Sequence, residues 1–229
     1  LLVSGFSQAD VAFWAYHGEG PYAGGEPLTK LRAIANLYPE TIQLITRVGS
    51  GIQTVGDLRG KRISLDLMGS GSMVDALLVL EAWGLSPKDF EALNLAPGTA
   101  IDQLRRGEIA GLVPIAGPNA DSLRKRYPFF TRQQVEAGTY QSVPATETLS
   151  VGAQWLIGAD IDADLVYGIT AALWHPNTRE MLDSGPPTGR LITFGSALDG
   201  LGVPLHPGAR RYYEERGVTL IETEPEAAE

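Results

Sequence analysis

The sequence predicts an α/β fold, on three observations. Short β-branched or apolar runs alternate with helix-like patterns along most of the chain. Glycine and proline are frequent, at 27 and 15 residues, which makes turns many and elements short. The 229 residues, 44% of them hydrophobic, suffice for one large domain or two lobes of about 100 residues each. The alternation further predicts sheets that are largely parallel.

In chain order, residues 1–6 read as a buried strand and 10–16 as a helix stopped by Gly18. A Gly- and Pro-rich loop covers 19–29. Alternating apolar residues predict strands over 31–37 and 41–48. A short helix is expected over 54–58 and a strand over 60–65. The apolar run 73–83 is a helix with Gly84 just beyond its end. Ser86 and Pro87 open a one-turn helix at 88–90. Then come a helix over 99–106, a strand over 109–115, a basic-aromatic helix over 122–129 and a loop over 135–143. A strand over 147–157, a helix over 162–174 and a helix over 209–216 complete the pattern. The acidic tail 222–229 is expected to fray.

Composition excludes several functions. The formal net charge is −9, so nucleic acid is not an expected partner, because phosphate contacts need clustered cations. Arg124-Lys125-Arg126 reads as a solvated helix face. There is no cysteine, hence no disulfide, thiolate metal site or thiol nucleophile. No run approaches 18 apolar residues. Residues 1–5 are too short for a signal peptide and lack a basic flank; the chain is expected to begin inside a domain.

The usual catalytic motifs are missing. His17, His175 and His206 are mutually distant, lack any metal-ligand spacing and read as loop or cap residues. No nucleophile elbow, dinucleotide fingerprint or phosphate-binding loop occurs. Neither catalytic residues, nor a metal, nor a cofactor is expected.

The most informative local feature is Gly69-Ser70-Gly71-Ser72, between a strand and a helix. Glycines admit close approach of a ligand, and the helix that follows offers unpaired N–H groups and the positive end of its dipole. Ser72 reads as the cap, with Asp75 in the capping-box position. Such a turn can hold a carboxylate or a phosphate, although it also matches an ordinary strand-to-helix turn. The segments Ser7-Gln8-Ala9-Asp10 and Gly117-Pro118-Asn119 likewise follow apolar strands, and three polar turns at strand ends can converge on one cleft. The alternative is that Gln8 and Asn119 only satisfy loop backbone groups. Tyr38, just before Pro39, is either a wall of that cleft or a core tyrosine.

The segment 31–86 resembles the TAXI group. These are the extracytoplasmic solute receptors of tripartite ATP-independent periplasmic (TRAP) transporters, with a type II periplasmic binding protein fold. The strings SQADVAFWAYHG at 7–18, LYPET at 37–41, RYPFF with AGTY within 126–140, and GVPLHPGARRYYEERG at 202–217 carry the resemblance over nearly the whole chain. It departs from the group at Met73, where an acidic or polar residue is usual, and in the absence of a Gly-rich first strand and helix.

The resemblance implies two lobes, 1–47 with 145–229 and 48–144, joined by crossings near 43–49 and 142–150. A ligand cleft lies between them. It implies a periplasmic solute-binding protein that captures a small organic acid, such as a dicarboxylate or an acidic amino acid, and delivers it to the integral membrane permease subunits of a TRAP transporter. The residues expected at the ligand are Ser7, Gln8, Tyr38, Gly69, Ser70, Gly71, Ser72 and Asn119. A ligand-sensing receptor domain on the same fold is the alternative. An enzyme is the third reading, and it would convert a bound acid that a binding protein releases unchanged.

Overall fold

The computed structural model describes residues 3–47, 49–105 and 109–220. Expectations that fall on residues 1, 2, 48 and 106 to 108, and on the tail 222–229, lie outside the described residues. Eight strands are described: β1 (Ser4–Gln8), β2 (Leu31–Thr41), β3 (Leu44–Arg47), β4 (Arg62–Ser64), β5 (Glu91–Leu93), β6 (Ile109–Val113), β7 (Thr131–Val135) and β8 (Thr146–Gly158). Seven α-helices accompany them: α1 (Ala9–His17), α2 (Gly71–Ala82), α3 (Pro97–Arg105), α4 (Pro118–Arg126), α5 (Ala163–Leu173), α6 (Pro176–Ser184) and α7 (Pro207–Glu214). The protein is therefore α/β, as its sequence predicts. Among the described residues no helix is long and apolar enough to cross a membrane.

Strand β8 organises the principal sheet. β2 runs antiparallel along one edge, from Leu31 opposite Gly158 to Thr41 opposite Ser150. The other edge is shared in succession. β7 lies opposite residues 146–150 and β1 opposite residues 153–157, both antiparallel. Both faces of β8 are buried, including Thr148, Ser150 and Gln154. Buried polar groups need partners, and these have them. Thr148 Oγ1 donates to the Ile42 carbonyl at 2.6 Å, Ser150 Oγ meets Thr131 Oγ1 at 2.8 Å, and Gln154 Nε2 donates to the Gly200 carbonyl at 2.8 Å.

The expectation of largely parallel sheets is overturned. β3 and β6 also pair antiparallel, and β4 with β5 is the only parallel strand pair among the described residues. That pair is joined through α2, the crossover a parallel pair requires. Alternation of helix and strand along a chain does not fix strand direction. Here β8 is a long return segment that pairs with three earlier strands.

Other boundaries move. The first strand starts at Ser4 and is an edge, with Phe6 72% exposed against Trp155 rather than buried. β2 runs on through Pro39 to Thr41, so the next strand begins only at Leu44. Residues 87–90 form a turn instead of a helix, held by Asp89, whose carboxylate accepts from the Ser86 N–H and hydroxyl at 2.8 and 2.7 Å. The basic helix begins at Pro118 instead of 122, and both β7 and α6 are additional elements. Strand β7 was hidden because TRQQV has no apolar alternation; its pairing with β8 is what makes it a strand.

One apolar core joins Ala9, Phe13 and Trp14 of α1 to Val79 and Leu80 of α2 and to Tyr127, Phe129 and Phe130. The Trp14 and Tyr127 rings lie 5.2 Å apart, edge to face. A second core packs Ile34, Ala35 and Leu37 of β2 against Val166 of α5 and Tyr212 and Tyr213 of α7.

Two of the histidines are helix caps. His175 and His206 each precede a proline at the first helical position, which favours the extended backbone a cap needs. In each, ring Nδ1 accepts the N–H two residues on, from Asn177 and from Gly208, both at 3.2 Å. A protonated Nδ1 cannot accept. Burial holds His206 below the usual histidine range. The stability it contributes is therefore complete above about pH 6.5 and is lost as pH falls through the depressed folded value. His206→Ala should lower stability by about 2 kcal/mol, since it removes both a cap and buried packing, while His206→Asn, which can still cap, should cost less. Urea unfolding of the two variants at pH 7.5 checks this.

Candidate functional site

Strand β1 passes into α1 without an intervening turn. Gln8 is the last strand residue and the N-cap position of α1, with extended backbone and no side-chain cap bond. Its amide is thus directed elsewhere: Nε2 donates to Glu40 Oε2 on β2. Gln8 and Tyr38 both lie opposite Ala153, from the two edges of β8. Directly opposed residues share a face of a sheet, and Glu40, two residues beyond Tyr38, shares it too. Ser7 lies opposite Gln154 and so on the other face. The two-residue period of a strand separates Ser7 from Gln8.

The small-residue turn comes from the opposite side. Asp66 stands at φ 74 with its carboxylate accepting from the Leu67 N–H at 2.6 Å, and Gly69 supplies a second positive φ of 79. Ser70, rather than Ser72, caps α2: its hydroxyl accepts from the Met73 N–H at 3.2 Å. The helix starts two residues earlier than the apolar run suggests, because Gly71 and Ser72 are accommodated in its first turn. Ser72 is exposed there, and Asp75 is buried instead of capping.

Gly71 is where the two segments meet. A Cβ on it would collide with Gln8 Oε1 and would stand 3.1 Å from Gln8 Cδ and 3.6 Å from Asp10 Oδ2. The absence of a side chain at Gly71 is what lets the start of α2 approach the start of α1. Asp75 lies one helical turn beyond Gly71, on the same face of α2.

The site that results is rich in acceptors. Asp10 is fully buried and Asp75 is 3% exposed. Both Asp10 carboxylate oxygens and Asp75 Oδ1 are buried without a hydrogen-bond partner. Burial, reinforced by the charges of Asp10 and Glu40, pushes Asp75 up to about 8. Burial also raises Asp10, aided by Glu40; the Val11 and Asp10 backbone N–H groups lie near enough to oppose the rise without meeting hydrogen-bond geometry. Among the described residues no three His, Cys, Asp or Glu side chains are placed to hold a metal ion.

Of the other expected residues, Tyr38 is half-buried and packs against the apolar cluster of Ile34, Ala35 and Leu37. Asn119 is exposed in the first turn of α4, where Gly117 at φ 82 is the N-cap residue and Pro118 takes the first helical position. The structure thus brings Gln8 and Gly71 together, with Ser70 and Ser72 beside them. Asp10, Asp75 and Glu40 are the groups that sequence reasoning missed at this place. A signal for two of them exists: Asp10 and Asp75 are single carboxylates inside otherwise apolar helical runs, ADVAFW and MVDALL.

A family model described as "NMT1-like family" matches residues 2–120 and 96–217. Among solved structures, the chain is similar to the periplasmic aliphatic sulphonate binding protein SsuA from Escherichia coli. The identity is 14% and the TM-score 0.44, over 93% of this chain and 62% of that one. It is also similar to the alkanesulfonate-binding protein SsuA from Xanthomonas axonopodis pv. citri bound to MOPS, at 20% identity and TM-score 0.35, over 80% of this chain and 53% of that one. The chain thus spans less than two thirds of the length of either.

Proposed function

The chain belongs to the NMT1-like family, and from that premise we propose that it is a periplasmic solute-binding protein, not an enzyme, that hands a small solute to a membrane permease. The observation that carries this reading is the meeting of Gln8, from the β1–α1 junction, with Gly71 at the start of α2. Two helix starts and a sheet face there surround one place. The motifs at 7–18, 37–41, 126–140 and 202–217 favour permease subunits of the TRAP type as partner, and a small organic acid as solute.

An acid would be held at the start of α2. The first backbone hydrogen bond into that helix runs from the Val74 N–H to the Ser70 carbonyl, at 3.3 Å. The N–H groups of Gly71 and Ser72 precede it and point toward the helix entrance. The lobes are drawn at 1–47 with 145–229 and 48–144, so that α1 and α2 belong to different lobes, and their shared apolar core is then the contact that a closed arrangement of the lobes makes. Strand β7 reaches across that boundary to pair with β8.

The solute is identified by mass spectrometry of small molecules released on denaturing the purified protein. Calorimetric titration with that solute then tests the site. Gly71→Val should weaken binding at least 30-fold, because the side chain blocks the approach of Gln8 and of the ligand. Ser70→Ala should weaken it only about 5-fold, the loss of one cap hydroxyl that costs about 1 kcal/mol. Parental affinity in Gly71→Val would place the solute elsewhere.

A further inference from the structure

We propose that the Asp10, Asp75 and Glu40 carboxyl groups, grouped at Gly71, receive a protonated amine of the solute. The proposal rests on the solute-binding reading and narrows its substrate class to ammonium-bearing compounds.

The chemistry at this place is one-sided. Gln8 Nε2 donates to Glu40, and it is the Gln8 carbonyl oxygen that lies against Gly71. Asp10 and Asp75 add buried oxygens without partners. Each of the three carboxyl groups here is purely an acceptor when ionised. A buried acceptor without a donor costs stability, and a native protein keeps such a group where something else supplies the donor. An ammonium carries three donors, no acceptor and the opposite charge. It is the group that satisfies several carboxylate oxygens at once in a confined volume. Among the described residues, the charged groups that act on this place come from three elements: Asp10 from α1, Glu40 from β2 and Asp75 from α2. All three are acidic.

The arrangement is layered. Glu40 and Gln8 are half-buried, while Asp10 and Asp75 lie behind them. An ammonium that reaches the inner pair displaces the Gln8 amide from Gly71. The N–H groups at the start of α2 lie close by, and a solute that carries an acid group as well as an amine engages both ends.

Proton linkage gives a signature that distinguishes the two ligand charges. Burial favours the protonated carboxyl in the free protein, and a bound ammonium favours the ionised one. Ammonium binding therefore sends a proton to the buffer. A carboxylate bound by the same groups would need them protonated and would take a proton up.

The test uses compound pairs that differ in the amine: L-glutamate and glutarate, L-aspartate and succinate, taurine and ethanesulfonate, putrescine and 1,4-butanediol. Thermal shift at millimolar compound should single out amine-bearing members, with no comparable shift from their partners. Calorimetry of the responding compound in buffers of different ionisation enthalpy at pH 7.5 should report proton release. Asp10→Asn and Asp75→Asn should each weaken that binding at least tenfold with an unchanged circular dichroism spectrum. Glu40→Gln, at the more open position, should weaken it about threefold. Equal binding of an amine-free partner, proton uptake, or unaltered affinity in Asp10→Asn and Asp75→Asn overturns the proposal while solute binding stands. If no compound of either kind binds and nothing is released from the purified protein, the proposal and the solute-binding reading fall together.

Discussion

Gly202→Ala should be among the most damaging single-methyl changes in this protein, costing about 3 kcal/mol or more. A Cβ at Gly202 would land well inside van der Waals distance of the Ala9 carbonyl oxygen, and 3.1 Å from both the Ala9 carbonyl carbon and the Phe13 N–H nitrogen. All three are backbone atoms of the first turns of α1, so no side-chain rotation relieves the contact. Overpacking of this kind typically costs about 1–3 kcal/mol, and more where only backbone can move. The helix that must shift carries Asp10 and follows directly on Gln8. Solute binding should fall along with stability. Gly98→Ala is the control. Gly98 lies in α3 with open space where the Cβ would go, so that change should be neutral or stabilise by up to about 1 kcal/mol. Urea midpoints of the two variants give the comparison, and equal midpoints would mean that α1 is not seated against Gly202 as described.

Asp75→Asn should stabilise the free protein, and the gain should grow with pH. Burial and the neighbouring Asp10 and Glu40 place Asp75 at about 8 in the folded protein, against 3.8 for an ordinary aspartate. The folded value is raised. The stability associated with the protonated form is therefore fully present below about pH 4 and is lost progressively as pH rises to about 8. Asparagine keeps the shape and never ionises. The variant and its parent should be nearly equal at pH 4.5, and the variant should be ahead by a few kcal/mol at pH 8.5. Denaturant unfolding across that range measures the difference, and a gap that does not widen with pH would show that Asp75 is not held in its protonated form. The same substitution is expected to weaken amine binding. Stability gained where function is lost is the usual pattern for a buried group kept for a ligand.

The sequence alone was enough to read the α/β class, the helix with its stop at Gly18, and the apolar helix that follows the small-residue turn. Each is a local matter. The αL residue after α1 has to be tolerant of a φ of 68, and glycine announces that. An apolar stripe has to be buried whatever covers it. The meeting of the first and second turns was legible in part, since both follow strands and carry small polar residues. His175 and His206 could be placed as caps from the proline that follows each.

Direction and partnership were decided only in three dimensions. Strand periodicity tells which residues share a face, but it is the same for parallel and antiparallel neighbours, so β8 could not be seen to pair antiparallel with β1, β2 and β7. TRQQV became a strand because residues 146–150 of β8 offered it an open edge. Ser7 and Gln8 were sent to opposite faces by the alternation of β1, which a reading of the pair as a turn conceals. The buried carboxylates are the clearest case. Asp10 and Asp75 are 65 positions apart, and a carboxylate next to apolar residues looks in sequence like the solvated edge of a helix. Its burial depends on what the rest of the chain lays over it. Gly71 lets α2 come close enough for that, and the resulting desolvation converts two ordinary aspartates into the most perturbed acids of the site.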